Sequence, residues 1–200
     1  MRPPFRSFVI LCFGLALFGL GEALLIASGA GVSPWTVFAE GVTNVTGWSI
    51  GLATFIISIC VLLTWMPLRQ IPGLGTIANA VIIALMLDFS LPYLPTPDGF
   101  IMQSMQALAG VLVTGLGGGI YLIANLGPGP RDGLMTGLQQ LTNVPIAWVR
   151  SGIEISVVII GWYLGGTVGL GTILFAFLIG PSVAASLYCL QAIFGAKHDA

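Results

Sequence analysis

Glu22, Arg131, Asp132, Arg150 and Glu154 are the charged side chains best placed to do chemistry, in a chain where only 6% of residues are charged and 56% are hydrophobic. Glu22 falls about halfway along an apolar run, in "GLGEALL". An ionised carboxylate there is costly unless it is neutral, paired or turned toward a watery cavity, so it is a candidate for ligand, ion or proton handling. Glu154 follows Arg150 by four residues, a helical spacing at which the two can form an ion pair. Arg131 and Asp132 stand side by side in "GPGPRDGLM" (127–135), among glycines and prolines and between long apolar runs. The planar arginine fork offers five donors to Glu154 or to an anionic ligand. A short helix opened by Pro130 would add amides and a dipole that favour negative charge, and Asp132 could occupy that positive end from within. Asp88, near the end of the third apolar run, can reach the interface and carries less weight, as do Asn79 and Asn125.

Other chemistries lack their residues. The one histidine is His198, and Cys12, Cys60 and Cys189 are isolated in apolar runs, so no metal-ligand cluster or cysteine–histidine nucleophile pair can be drawn. No glycine-rich stretch is followed by the Lys and Ser/Thr of a phosphate-binding loop. The expectation is a protein that is not an enzyme, with no catalytic residue, metal, cofactor or nucleic acid.

The elements that position these residues belong to a membrane. A mean hydropathy of +1.03 and apolar runs of roughly 20 residues lie far outside the soluble range. Segments 8–30, 49–68, 76–94, 102–125, 146–164 and 170–194 are each long enough to span, which predicts six transmembrane helices in a single all-α domain over 1–200. The first is read as a retained helix, since it exceeds the core of a signal peptide and lacks a clear A-x-A site. Segments 33–45 and 130–144 are too short to span and read as re-entrant or interfacial helices. Ser33 stands as N-cap with Pro34 at the first helical position, and Pro130 opens the second in the same way. With the N-terminus in the cytoplasm, Arg2, Arg6, Arg69, Arg131, Arg150 and Lys197 all fall inside, while Glu40 and Asp98 face outward. Trp35, Trp48, Trp65, Trp148 and Trp162 lie near segment ends and fit an interfacial belt.

The chain also repeats. A shift of 96 residues lays "GLALFGLG" (14–21) over "GVLVTGLG" (110–117), "GVSPW" (31–35) over "GPGPR" (127–131) and "GLGTI" (73–77) over "GLGTI" (169–173), without a gap. The halves, 8–94 and 104–194, read as duplicates. Three spans per half make the second copy insert upside down, a 3+3 inverted repeat of the kind on which many secondary transporters build a midplane site. The approach at 31–36 is then expected on the outer side and that at 127–132 on the inner side. Ser33, Pro34, Trp35, Gly129, Pro130, Arg131 and Asp132 become ligand-contact or gate candidates beside Glu22, Arg150 and Glu154. The glycines at 14, 19, 21, 110, 115 and 117 read as faces of close helix packing.

These motifs, with "VRSGIEISVVIIGWYLGG" (149–166) and "GLGT" (169–172), resemble the bacterial YczE-like integral membrane proteins, related to the broader YitT group. The resemblance covers almost the whole chain and implies a multi-pass protein of the bacterial cytoplasmic (inner) membrane, with no substrate attached to it. Two functional classes are carried forward, with an intramembrane enzyme as a third set behind them because no nucleophile–base pair is visible. One is a small secondary transporter or permease, with an anion among its candidate substrates and membrane lipids around it. The alternative is a non-transporting accessory or regulatory protein that supports a membrane partner or pairs with a second copy of itself through its glycine faces.

Overall fold

The computed structural model describes residues 5–195, with side chains as far as 192. Arg2, Lys197 and His198, on which part of the sequence reading rests, lie outside the described residues. All regular structure among them is helical: α1 (Phe5–Ala27), α2 (Pro34–Thr46), α3 (Ile50–Trp65), α4 (Leu74–Ser90, continued by a 3-10 turn to Tyr93), α5 (Phe100–Ile123), α6 (Pro130–Thr142), α7 (Ile146–Tyr163) and α8 (Leu170–Gly195).

Five helices are long and apolar enough to cross a membrane, and a sixth span is reached only if α2 and α3, bent by 113° at their junction, count as one. The second expected span is the exception. α3 has 16 residues, roughly 24 Å of helix against a hydrocarbon core of about 30 Å. The apolar run continues to Leu68, but the helix stops at Trp65, just ahead of the Met66-Pro67 step that cannot carry it on.

The short helices are where expected. α2 and α6 each begin on a proline after an extended residue, and each ends on a left-handed one, Gly47 at φ 75° and Asn143 at φ 57°. The two helices thus have identical bounds 96 residues apart.

α1 and α5 form the centre. They run antiparallel, with Gly14 against Gly117 and Tyr121, and Gly21 against Gly110 and Thr114. At these crossings backbone meets backbone, which only residues without a side chain permit. Gly19 packs on Met86 of α4, and Gly115 packs on Ser182 of α8, again 96 residues on. All six glycines singled out in the sequence sit at such contacts.

The halves interlock through their loops. The Gly75 amide donates to Leu126 O at 2.7 Å, and the Gly171 amide donates to Ala30 O at 2.8 Å. Gly31, at φ 106°, lies against Gly169, and Gly127, at φ 122°, lies against Gly73. Each pair needs glycine twice over, for the positive φ and for the close approach.

One correspondence fails. α3 packs along α4, whereas α7 leans on α2 and α6 and makes no comparable packing on α8. Asp88 of α4 holds the start of α3, accepting from the Ser49 hydroxyl at 2.6 Å and from the Gly51 amide at 2.8 Å. The residues 96 positions on are Ala184, Pro145 and Ala147, which have no side chains able to make that latch. In α7 only Gly161 is fully buried.

Candidate functional site

Glu22 is fully buried on α1. Its Oε2 accepts from Ser33 Oγ at 2.8 Å and from Thr36 Oγ1 at 2.7 Å, and the two hydroxyls lie 2.9 Å apart. Its Oε1 is buried with no hydrogen-bond partner in the structure. Ser33 therefore does not act as the side-chain cap its sequence position suggested. The backbone takes the N-cap conformation, but the hydroxyl is spent on Glu22 and makes no capping bond to α2. The carboxylate ties the first turn of the short helix to the long helix before it.

The second half makes the same tether from other residues. Tyr121 of α5 donates its hydroxyl to Asp132 Oδ2, in the first turn of α6, at 3.0 Å, and its ring meets Phe18 edge-on with centroids 6.3 Å apart. Asp132 is thus held by a phenol at an exposed rim rather than by the helix amides alone.

The starts of the two short helices meet. The Arg131 guanidinium lies over the Trp35 indole, 5.2 Å from the ring centroid. The turns between long and short helices thus bring the 31–36 and 127–132 approaches to one place. This arrangement corrects the reading of Trp35 and Trp65 as members of an interfacial belt. Both are buried, Trp35 under Arg131 and Trp65 against Gly133 with its Nε1 donating to Pro130 O at 3.0 Å. Trp48, Trp148 and Trp162 remain exposed.

Arg131 does not pair with Glu154. That carboxylate accepts from Arg150 Nε at 2.9 Å, as the four-residue spacing anticipated, with both side chains partly exposed. Among the described residues Arg131 has no hydrogen bond or ion pair, and its guanidinium stacks on the Trp35 ring. Burial pushes the Arg131 pKa below its usual value, and the charges of Glu22, Asp132 and Glu154 offset part of that by favouring the cation.

Around this centre lies a cavity of about 420 Å³. One wall is polar, with Thr54, Asn79, Arg131 and Asp132, and the Arg150–Glu154 pair stands beside them. The other is apolar, from Phe18, Ile83, Phe175, Ile179 and Val183. Two polar atoms on its lining residues, Trp35 Nε1 and Thr54 Oγ1, are buried without partners. The volume lies in the range of small-molecule pockets, which are mostly apolar with a few placed polar groups. Ser33, Pro34, Gly129 and Pro130 shape the backbone behind the two helix starts, and only Gly129 of the four reaches the cavity. Thr54, Tyr121 and Thr36 were not singled out in the sequence. A tyrosine inside an apolar span is itself a signal, because a buried phenol seeks a partner.

Together these features define a polytopic helical membrane protein with a polar-walled cavity where two short helices face each other. The model of a family of unknown function, DUF6198, matches residues 5–187, and the chain belongs to that family. It is 44% identical to an uncharacterized protein of Haemophilus influenzae over 179 residues, covering 90% of this chain and 82% of the relative. It is 34% identical to the uncharacterized membrane protein YczE of Bacillus subtilis over 184 residues, with 92% and 83% covered. The YczE-like character expected from the motifs is thereby shown. A further B. subtilis protein, YyaS, is 26% identical over 190 residues, with 92% and 94% covered. No solved structure matches the chain.

Proposed function

We propose that this protein is a small secondary transporter or permease that takes an anion at Arg131, without enzymatic activity or a cofactor. One observation carries the reading: an arginine with no hydrogen-bond or ion-pair partner among the described residues, stacked on a tryptophan, at a cavity of about 420 Å³ where two short helices start. A guanidinium so placed has unsatisfied donors for a carboxylate, sulfonate or phosphate.

The architecture supports a 3+3 inverted repeat in which α2 and α6 are re-entrant and Trp35 and Arg131 sit on a two-fold axis in the membrane plane. The reciprocal contacts 96 residues apart are those that such an axis generates. Alternating access then follows from the broken correspondence. The α3–α4 pair is latched by Asp88, the α7–α8 pair is not, and rocking of α7 against α8 opens or closes the cavity. The membrane is the bacterial inner membrane with both termini in the cytoplasm, where basic loops favour that side. The accessory reading draws on one observation, the apolar flank of α7 that exposes Ile155, Ile159 and Trp162, which lipid, a second copy or a partner helix would cover.

Purified protein in proteoliposomes separates the two. Uptake of radiolabelled benzenesulfonate or inorganic phosphate is expected from wild type, is lost in Arg131→Gln, and is strongly reduced in Arg131→Lys, which keeps the charge but not the fork. Correctly inserted protein that moves neither anion would overturn transport in favour of the accessory role. An Arg131→Lys variant that matches wild type in flux, beside an Arg131→Ala variant with scrambled topology, would reduce the arginine to an orientation signal.

A further inference from the structure

We infer that Glu22 is the proton site of this transporter: a monovalent organic anion with an apolar body binds Arg131 only together with a proton on Glu22, so that the two cross as a neutral pair. The inference rests on the anion reading of Arg131 and adds the substrate class and the coupling ion.

The first argument counts hydrogens. Glu22 Oε2, Ser33 Oγ and Thr36 Oγ1 form a triangle with sides of 2.7, 2.8 and 2.9 Å, all hydrogen-bond distances. Two hydroxyls supply two hydrogens for three short contacts. With an ionised Glu22, the third contact would be a bare approach of two oxygen lone pairs. A proton on Oε2 supplies the missing hydrogen and closes a ring in which each oxygen donates once and accepts once. The triangle can therefore complete its hydrogen bonds around a protonated Glu22, in a fully buried position where charge is costly.

The second argument counts charge. The acids whose charge favours the charged form of Arg131 are Glu22 on α1, Asp132 on α6 and Glu154 on α7, the last paired with Arg150, while Trp35 on α2 stacks on its guanidinium. From α5 the titratable neighbour is Tyr121. On α4 the nearest acid, Asp88, is engaged at the start of α3. The cavity residues contributed by α8 carry no charge. Asp132 is exposed to solvent and Glu154 is paired with Arg150, so Glu22 is the buried carboxylate whose charge depends on Arg131. Once an anion neutralises that arginine, Glu22 loses its counter-charge and takes a proton from water. When the proton leaves, Glu22 competes for the arginine and the anion is released. The proton comes from hydronium or a buffer acid, whose bond to hydrogen breaks as the O–H of Glu22 forms, and the reverse transfer returns it to water on release.

The third argument concerns the ligand. Among the lining residues Asn79 adds an amide donor for an anionic head, while Phe18, Ile83, Phe175, Ile179 and Val183 suit an apolar body. One unpaired cation matches one negative charge.

Benzenesulfonate is the decisive probe, because it stays ionised across the accessible pH range and any proton taken up on binding belongs to the protein. Its affinity for wild type, read from thermal stabilisation in detergent, is expected to weaken about tenfold per pH unit on the alkaline side of the Glu22 titration. In Glu22→Gln, which keeps the size and cannot titrate, binding should persist with a flat pH profile. Arg131→Gln should bind nothing. Arg131-dependent binding with the same pH profile in wild type and Glu22→Gln would overturn the proton site while leaving the anion site standing. Binding of inorganic phosphate in preference to benzenesulfonate would overturn the substrate class. Binding of neither anion would overturn the anion reading itself. Should Glu22→Gln fold poorly, proton uptake per bound anion in wild type, from calorimetry in two buffers of different ionisation enthalpy, decides the matter. One proton supports the site and none refutes it.

Discussion

Replacing Gly21 or Gly117 by alanine puts one methyl group into the contact on which the whole assembly turns. At Gly21 the new Cβ would fall on the backbone amide and hydroxyl of Thr114, and at Gly117 on the backbone of Phe18. Neither obstacle is the end of a flexible side chain, so α1 and α5 must move apart along their length. Overpacking in a tight core costs about 1–3 kcal/mol, and obstruction by backbone belongs at the upper end. The better helix propensity of alanine returns up to about 1 kcal/mol. The net expectation is a loss of about 2 kcal/mol for each variant.

Gly152→Ala is the control. Nothing lies within 4 Å of a Cβ at that position in α7, so it should be neutral or slightly stabilising. Reversible unfolding in mixed detergent–SDS micelles, followed by circular dichroism, reads all three. Because Gly21 and Gly110 touch, Gly21→Ala combined with Gly110→Ala should cost less than the sum of the single variants, whereas Gly21→Ala combined with Gly117→Ala, one crossing apart, should be closer to additive. Equal, small effects at positions 21, 117 and 152 would refute the close crossing of α1 and α5.

Two further expectations are simpler. Asp88→Ala removes the acceptor of the Ser49 and Gly51 bonds at an exposed site, so it should cost about 1 kcal/mol and raise amide hydrogen exchange in the first turn of α3, with α7 unaffected; unchanged exchange there would mean the latch is not what holds α3 to α4. A cysteine introduced at position 98 should react with an impermeant thiol reagent in intact cells and one at position 69 should not, whereas the reverse pattern would reject the proposed topology.

What could be read in the sequence was set by backbone and spacing. Pro34 and Pro130 marked the starts of two short helices, the glycines at 14, 19, 21, 110, 115 and 117 marked close packing, and the four-residue step from Arg150 to Glu154 marked an ion pair. Each rule is local, and the structure agrees with each. The position of Glu22 in an apolar run likewise marked it for a polar partner. Which partner it takes is not local. Ser33 and Thr36 reach it because the chain turns back at Gly29 and Gly31, and a Ser-Pro pair reads equally well as an ordinary cap. Trp35 and Trp65 were misread for the same reason, since a tryptophan near the end of a segment looks interfacial whether its helix points toward water or into the protein. Arg131 is legible as a ligand-contact candidate from its loop, but its stacking on Trp35 depends on a contact between the halves that no local rule shows. The shortness of α3 against the apolar run 49–68 has a local cause that was available, the Pro67 just after its end.

The divergence of "SPWT" from "GPRD" has a physical reason on the proposed two-fold axis. A residue near that axis meets its own counterpart, so an exact duplicate would set two identical side chains face to face. Two arginines at positions 35 and 131 would repel in a poorly solvated place, and two tryptophans would leave no charge to attract a ligand. Arginine over tryptophan turns the conflict into a cation–π contact worth about 0.5–2 kcal/mol, and it occupies the face of the guanidinium while leaving its N–H edges for an anion. The neighbouring positions then part in step. The half that carries tryptophan keeps its acid on the long helix, as Glu22 beneath two hydroxyls. The half that carries arginine moves its acid to the short helix, as Asp132 under the Tyr121 phenol. One buried acid is left without a basic hydrogen-bond partner and one cation, stacked on an indole ring, without an acidic one, and on that pairing the proposed exchange of a proton and an anion rests.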